Sequence, residues 1–158
     1  MPSQEKDSLE ESLTGYKEKI VPVTKVMLNW DKELIFVGTT PQGYEMEFDA
    51  QAQWGCKPTE ALLLSLAGCM SIDVVAMLKK MRVHLASFKV ELTGERNPTP
   101  PQYFKAIEMV FYIAGKDLNP DKIERAISLS RAKYCSVYNS LRKDLEIKMR
   151  YVLEDKEL

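Results

Sequence analysis

Residues 58–80 read PTEALLLSLAGCMSIDVVAMLKK, and this apolar stretch decides the fold. Pro58 suits the first turn of a helix, Glu60 complements the positive end of the helix dipole, and the basic residues that end at Arg82 complement the negative end. The stretch is long enough to cross a membrane, but Asp73 would be costly there. A helix that is apolar on every side is more simply a buried core helix. We therefore predict a core helix from Pro58 to about Arg82 and no membrane insertion.

Three segments before this helix and three after it have the β-rich or alternating composition of strands. They are residues 20–30, 33–40, 44–50, 84–96, 103–115 and 146–154. The first three predict an antiparallel meander. The next two predict a hairpin closed by a proline-rich loop, and the last predicts a single further strand.

A second helix is predicted between the hairpin and the last strand. Asn119 is a favourable N-cap, and Pro120 is a favourable first residue. Apolar positions then follow at helical spacing: Ile123, Ile127, Ser130, Tyr134, Val137 and Leu141. The order β-β-β-α-β-β-α-β predicts an α+β fold. We expect one domain over residues 19–158, after a flexible acidic tail at residues 1–18 with a short helix around Ser8–Leu13.

The composition excludes several classes of protein. The 158 residues include 22 basic and 23 acidic side chains, so a basic surface for nucleic acid is not expected. Three cysteines are too few for a disulfide scaffold and favour a cytoplasmic protein with free thiols. The acidic N-terminal segment does not resemble a signal peptide. The single histidine, His84, excludes a conventional Cys/His or Ser/His/Asp site unless it is the base.

The cysteines are the candidates for chemistry. Cys69 follows Gly68 on the apolar helix, where a core cysteine is the simpler interpretation. Cys135 follows Arg131 and Lys133, and basic neighbours favour a thiolate. It lies about 100° from the Tyr134 stripe, so a half-exposed helix cysteine is the alternative.

Metal and cofactor sites are not expected from these spacings. Cys56, in the loop before the first helix, has a passive role in this interpretation. A metal site built from Cys56, Cys69, Cys135 and His84 is not predicted, since the paired spacing typical of such sites is missing. No phosphate-binding glycine loop is present in the sequence, and no cofactor is predicted.

Two segments resemble a known family. The run from Pro58 to Cys69, followed by residues 70–75, resembles the central helix of the OsmC-like proteins, which include the organic hydroperoxide resistance proteins. Tyr134-Cys135-Ser136-Val137 resembles the second cysteine segment of that family, and the resemblance covers about residues 20–153. It implies a thiol peroxidase that forms an intertwined homodimer, with antiparallel sheets around two central helices. By this resemblance Cys69 attacks the peroxide, Cys135 resolves the product, and Glu60 is the active-site carboxylate.

One departure from the family pattern concerns the cation beside the reactive thiol. Family members carry an arginine in the N-terminal strands, whereas the first arginine here is Arg82. The chain therefore resembles a divergent branch. Lys25, Lys32 and Arg131 are the candidate replacements, and we favour Arg131 because it lies one turn before Cys135.

If Glu60 and Cys69 serve one site, as the resemblance implies, the helix geometry predicts a dimer. Glu60 and Cys69 are nine positions apart. This spacing is about 14 Å along an ideal helix and about 180° around it. One helix cannot bring both side chains to one site, so Glu60 would have to come from a second subunit.

The sequence thus predicts a thiol-dependent peroxidase that reduces organic hydroperoxides and is regenerated by an external dithiol. The alternative is a non-catalytic OsmC-like homodimer that binds a small hydrophobic or thiol-bearing ligand. A purely structural interaction module, in which neither Cys69 nor Cys135 matters, is the third possibility.

Overall fold

The structure, a computed structural model, describes residues 22–156. The predicted acidic tail and its short helix lie outside these residues. The described chain forms two compact units, which divide after Leu64 within the long helix. The order of the elements agrees with the predicted α+β fold.

The first unit contains an antiparallel meander of β1 (Met27–Lys32), β2 (Ile35–Thr39) and β3 (Glu45–Asp49). Trp30 pairs with Phe36, and Phe36 pairs with Phe48, so the three rings share one face of the sheet. The turn between β2 and β3 contains Gly43 at φ +88°, a backbone conformation that glycine adopts without steric cost.

The loop after β3 is organised by one buried carboxylate. Asp49 accepts hydrogen bonds from the backbone N–H groups of Gln51, Gln53 and Trp54 at 2.8–3.1 Å. These bonds hold the pKa of Asp49 below its usual value. The loop therefore has a fixed path into the long helix.

The long helix, α1, runs over Pro58–Lys80 and ends two residues earlier than predicted. Arg82 has φ +58°, a left-handed conformation that a helix cannot continue through. Within residues 22–156 it is the helix long and apolar enough to cross a membrane. Its fully buried side chains nevertheless follow one face at helical spacing: Leu66, Met70, Val74, Met77 and Leu78.

The opposite face of α1 is apolar and open to solvent. Leu64 is 64% exposed, Ile72 is 54% exposed, and Gly68 lies between them at four-residue spacing. These residues lie two positions from Leu66, Met70 and Val74, which is about 200° around the helix. One chain therefore covers one face of this apolar helix, and the burial of the other face by a second copy stays a prediction.

The second unit contains the sheet of β4 (His84–Arg96), β5 (Phe104–Lys116) and β6 (Glu146–Asp155), with β5 in the centre. β4 and β5 are antiparallel, but β6 pairs with β5 in parallel, from Ala106↔Glu146 to Gly115↔Asp155. The expectation of purely antiparallel sheets is corrected here. A long crossover separates β5 from β6, and such a connection allows parallel pairing.

The crossover also corrects the predicted second helix. Helix α2 (Pro120–Leu129) begins as expected, with the Asn119 side chain accepting a hydrogen bond from the Asp121 N–H. A π-helical turn then occupies Ser130–Tyr134, Cys135 is extended at φ −73° and ψ 103°, and a short helix α3 covers Ser136–Ser140. One continuous helix is thus replaced by two, with Cys135 at the break.

Candidate active site

Cys135 is completely buried at the break in the crossover. It is the N-cap of α3, and its Sγ accepts a hydrogen bond from the Tyr138 N–H at 3.3 Å. Its own N–H donates to the Ser130 carbonyl at 2.8 Å, and its carbonyl accepts from the Asn139 side chain at 2.9 Å. These bonds fix the direction of the sulfur. The half-exposed position expected from a regular helix is wrong, because the π turn changes the phase of the chain before Cys135.

The second unit brings Cys135 to two residues of α1. The Sγ atoms of Cys69 and Cys135 and a carboxylate oxygen of Asp73 all lie within 4.8 Å of one another. Cys69 and Asp73 are four residues apart, so they share one face of α1. Cys69 is partly exposed, whereas Asp73 is only 1% exposed.

A hydroxyl from the π turn holds the carboxylate. Ser130 Oγ donates a hydrogen bond to Asp73 Oδ2 at 2.9 Å, and both side chains are buried. A buried carboxylate needs such donors, since removing it from water without them is costly. The bond also links α1 to the crossover at Ser130, five residues before Cys135.

The electrostatic environment of Cys135 favours a protonated thiol. Burial is the main cause, and the hydrogen bond and charge of Cys69 and the charge of Asp73 act in the same direction. Together they raise the pKa of Cys135 to about 12, against the opposing hydrogen bond from Tyr138. In these surroundings Cys135 is therefore a protonated thiol at neutral pH.

The other predicted site residues have different surroundings. Glu60 is exposed, and its carboxylate accepts a hydrogen bond from the Lys57 N–H at 2.8 Å, before the start of α1. Arg131 is also exposed, and its Nε donates to the Tyr138 hydroxyl at 3.0 Å. Neither side chain has a described hydrogen bond to the Cys69 or Cys135 sulfur within residues 22–156.

The residues that were given passive roles lie outside the cluster. Cys56 donates a weak hydrogen bond from Sγ to the Glu47 carbonyl at 3.6 Å in the first unit. His84 begins β4 with an exposed side chain. The thiol pair is therefore formed by Cys69 and Cys135.

Sequence reasoning missed Asp73 and Ser130. Asp73 is the single charged residue within the apolar part of α1, four residues after Cys69. The sequence argument used it only to exclude membrane insertion. Ser130 occupied a position in the apolar stripe of the second helix, where a hydroxyl was unexpected. In both cases the signal was a polar residue on a face otherwise suited to burial.

Comparison with known proteins identifies the family of this chain. The family model of OsmC-like protein matches residues 49–150, which include the thiol pair and Asp73. The chain belongs to the OsmC-like family. It is 34% identical over 125 residues to protein YhfA of Escherichia coli K12, covering 78% of this chain and 93% of that protein.

Solved structures show the same fold. A hypothetical protein from Aquifex aeolicus has a TM-score of 0.79 and 28% identity, over 87% of this chain and all of that one. The organic hydroperoxide resistance protein OhrB of Bacillus subtilis has a TM-score of 0.58 over 84% of this chain and all of that one. At 15% identity, the second similarity concerns the fold alone.

Proposed function

We propose that this OsmC-like protein reduces organic hydroperoxides through Cys69 and Cys135. The observation that carries the proposal is the approach of the two sulfurs to within 4.8 Å, from α1 and from the crossover. Two structural neighbours that share the fold are named as organic hydroperoxide resistance proteins, and the proposed class of substrate is taken from those names. The proposed role is defence against oxidative stress.

The proposed cycle uses both thiols. The Cys69 thiolate attacks the O–O bond, the alcohol leaves after taking a proton, and Cys69 becomes a sulfenic acid. The Cys135 thiol condenses with the sulfenic acid, which releases water and forms a disulfide. An external dithiol then reduces the disulfide by exchange and is itself oxidised, so no bound cofactor is required.

The surroundings of the two sulfurs support this division of roles. Cys69 is partly exposed, so a peroxide can reach it. Cys135 is fully buried with a pKa raised to about 12, which suits a thiol that reacts only after Cys69 has been oxidised.

A homodimer is part of the proposal. In the first unit, one face of the sheet is apolar and open, with Leu28 58% exposed and Trp30 68% exposed. The stripe of Leu64, Gly68 and Ile72 on α1 is open as well. Contiguous apolar surfaces of this kind mark interaction sites. A second copy of the chain would cover them and could bring the partner subunit's Glu60 to the thiols.

Glu60 and Arg131 have supporting roles in this proposal. Glu60 is the proposed active-site carboxylate, acting across the subunit boundary. Arg131 is the proposed thiolate-activating base, and Lys25 and Lys32 are the other candidates. A guanidinium remains charged at any working pH and can pair with a carboxylate at two points. The Tyr138 hydroxyl, which accepts from Arg131 Nε, would have to release it. We also propose a cytoplasmic location, because all three cysteines are free thiols.

The test is to locate the first oxidised sulfur. Reduced protein receives one equivalent of tert-butyl hydroperoxide, remaining thiols are alkylated, and peptides are mapped by mass spectrometry. We expect a Cys69–Cys135 disulfide in the wild type and oxidised Cys69 in Cys135→Ser. Cys56→Ser is the matched control and should behave as the wild type. Oxidation of Cys56 before Cys69 would disprove the assignment.

One observation favours a second function. Arg131, the proposed thiolate-activating base, donates from Nε to the Tyr138 hydroxyl and has no described hydrogen bond to either thiol within residues 22–156, which disfavours thiolate chemistry. A non-catalytic homodimer that binds a small hydrophobic or thiol-bearing ligand would tolerate this. Steady-state turnover of peroxide with dithiothreitol separates the two functions. The binding protein would form no product beyond the uncatalysed rate.

A further inference from the structure

We infer that Cys69, Asp73 and Cys135 bind one thiophilic divalent cation, with zinc as the expected ion. Two sulfurs and one carboxylate oxygen within 4.8 Å of one another form a donor set that suits zinc. Thiolate ligands select such ions over magnesium, calcium or manganese, which prefer oxygen. This site goes beyond the peroxidase function and does not depend on it.

The spacing of the donor atoms is close to that of a coordination site. Zinc–sulfur bonds of about 2.3 Å and zinc–oxygen bonds of about 2.1 Å place tetrahedral ligands roughly 3.5–3.8 Å apart. The three donor atoms lie within 4.8 Å of one another, so shifts of about 1 Å would bring them to this spacing. Cys69 and Asp73, one turn apart on α1, form one edge of the tetrahedron, and Cys135 forms the third corner. A solvent molecule or ligand would complete the coordination from the partly exposed side of Cys69.

Two hydrogen bonds already orient the donors. Ser130 Oγ donates to Oδ2 of Asp73, which fixes the orientation of the carboxylate. The Tyr138 N–H donates to Cys135 Sγ, an interaction that stabilises the negative charge of a bound thiolate. Outer partners of this kind fix ligand orientation in metal sites and strengthen binding. Their presence distinguishes this cluster from a chance approach of three side chains.

Charge balance supports the same conclusion. Two thiolates and one carboxylate carry three negative charges in surroundings where Asp73 and Cys135 are at most 1% exposed. A divalent cation offsets two of these charges and displaces the thiol protons. Burial also limits competition from water. The spacing argument against a metal site considered Cys56, Cys69, Cys135 and His84 and did not include Asp73.

The experiment uses cobalt as a spectroscopic substitute for zinc. Fully reduced protein is titrated with Co²⁺ in a buffer that contains a phosphine reductant and no peroxide. The sulfur-to-cobalt charge-transfer absorption and the tetrahedral d–d absorption are recorded. We expect one equivalent per chain, displaced by one equivalent of Zn²⁺. Cys69→Ser and Cys135→Ser should abolish the charge-transfer band. Asp73→Asn should weaken binding at least tenfold, a loss typical of altered metal-site partners.

Controls separate coordination from misfolding. Cys56→Ser should bind as the wild type, and Ser130→Ala should weaken binding less than Asp73→Asn. Zn²⁺ should also slow alkylation of wild-type Cys69 but leave Cys56 unaffected, a result that needs no variant. The inference is overturned if the reduced wild type gives no charge-transfer band, or if the band survives in Cys69→Ser. Because peroxide is absent, neither result bears on the proposed peroxidase activity.

Discussion

The two sheets of this chain have similar apolar patterns but very different burial. In the sheet of β4–β6, the central strand carries Met109, Phe111 and Ile113 at 0–1% exposure. In the sheet of β1–β3, Leu28 and Trp30 are more than half exposed, although cross-strand partners such as Phe36 place them on one apolar face. The second sheet thus has a complete core within one chain, and the first does not.

This difference shows that an alternating pattern indicates a face suited to burial without indicating what buries it. In the second unit the chain itself supplies the cover. In the first unit this apolar face is exposed, and a second copy of the chain is the cover that we propose. The following substitutions test how far the two sheets differ.

The largest effect is expected for a matched truncation in the two sheets. Phe111 is fully buried and packs edge-to-face on Phe88 at a centroid distance of 6.0 Å, whereas Phe36 is half-buried. Phe111→Ala should reduce the free energy of unfolding by about 3–5 kcal/mol. Phe36→Ala should cost less than half as much at protein concentrations where the chain is monomeric. Urea titrations at several protein concentrations measure both free energies of unfolding. Equal losses of stability in the monomer would contradict the difference between the two sheets.

A charge on the open sheet face should break the proposed dimer. Trp30→Glu is expected to raise the dissociation constant roughly thirtyfold or more, since buried interface tryptophans often contribute at least 2 kcal/mol. Asn29→Glu is the matched control, because adjacent residues of a strand point to opposite faces. Sedimentation equilibrium gives both constants. A wild type that stays monomeric at micromolar concentration would rule out this interface.

The loop after β3 should respond to acid through Asp49. The backbone N–H groups of Gln51, Trp54 and Gln53 lower the pKa of Asp49 from its usual 3.8. Its contribution to stability is therefore complete above that value and is lost as the pH falls through the lower folded-state pKa. Asp49→Asn should melt earlier than the wild type at pH 7, and the difference should shrink below pH 3.8. Circular dichroism melts measure this, with exposed Asp31→Asn as the control; a difference independent of pH would contradict it.

The smallest effect is expected on the open stripe of α1. A Cβ atom at Gly68 meets nothing within 4 Å in the described chain. Gly68→Ala should therefore stabilise the monomeric Trp30→Glu background by about 0.5–1 kcal/mol, through helix propensity. In the dimeric wild type we expect this gain to be lost, because a second subunit covers the stripe. Equal gains in both backgrounds, measured by urea unfolding, would place the interface elsewhere.

The sequence predicted those elements whose signals are local. The start of α1 at Pro58 and the Asn119 N-cap are confirmed, since each depends on a few neighbouring residues. The π turn was missed because Ser130 and Tyr134 also fit the spacing of an unbroken helix. The burial of Cys135 and its approach to Asp73 follow from that turn and from contacts distant in sequence. The family resemblance indicated the cysteines, but a pattern of residue types could not show that a carboxylate lies beside them.

The distance along the chain between the two thiols has a consequence for mechanical and proteolytic resistance. Cys69 and Cys135 meet in space but are separated by about 65 residues. A bond between them would close a loop of that length, and in the chain-entropy model this restricts the unfolded ensemble by about 4 kcal/mol. The oxidised chain would then resist pulling and protease digestion more strongly than the reduced chain. Susceptibility to cleavage would report the redox state of the protein without any measurement of thiols.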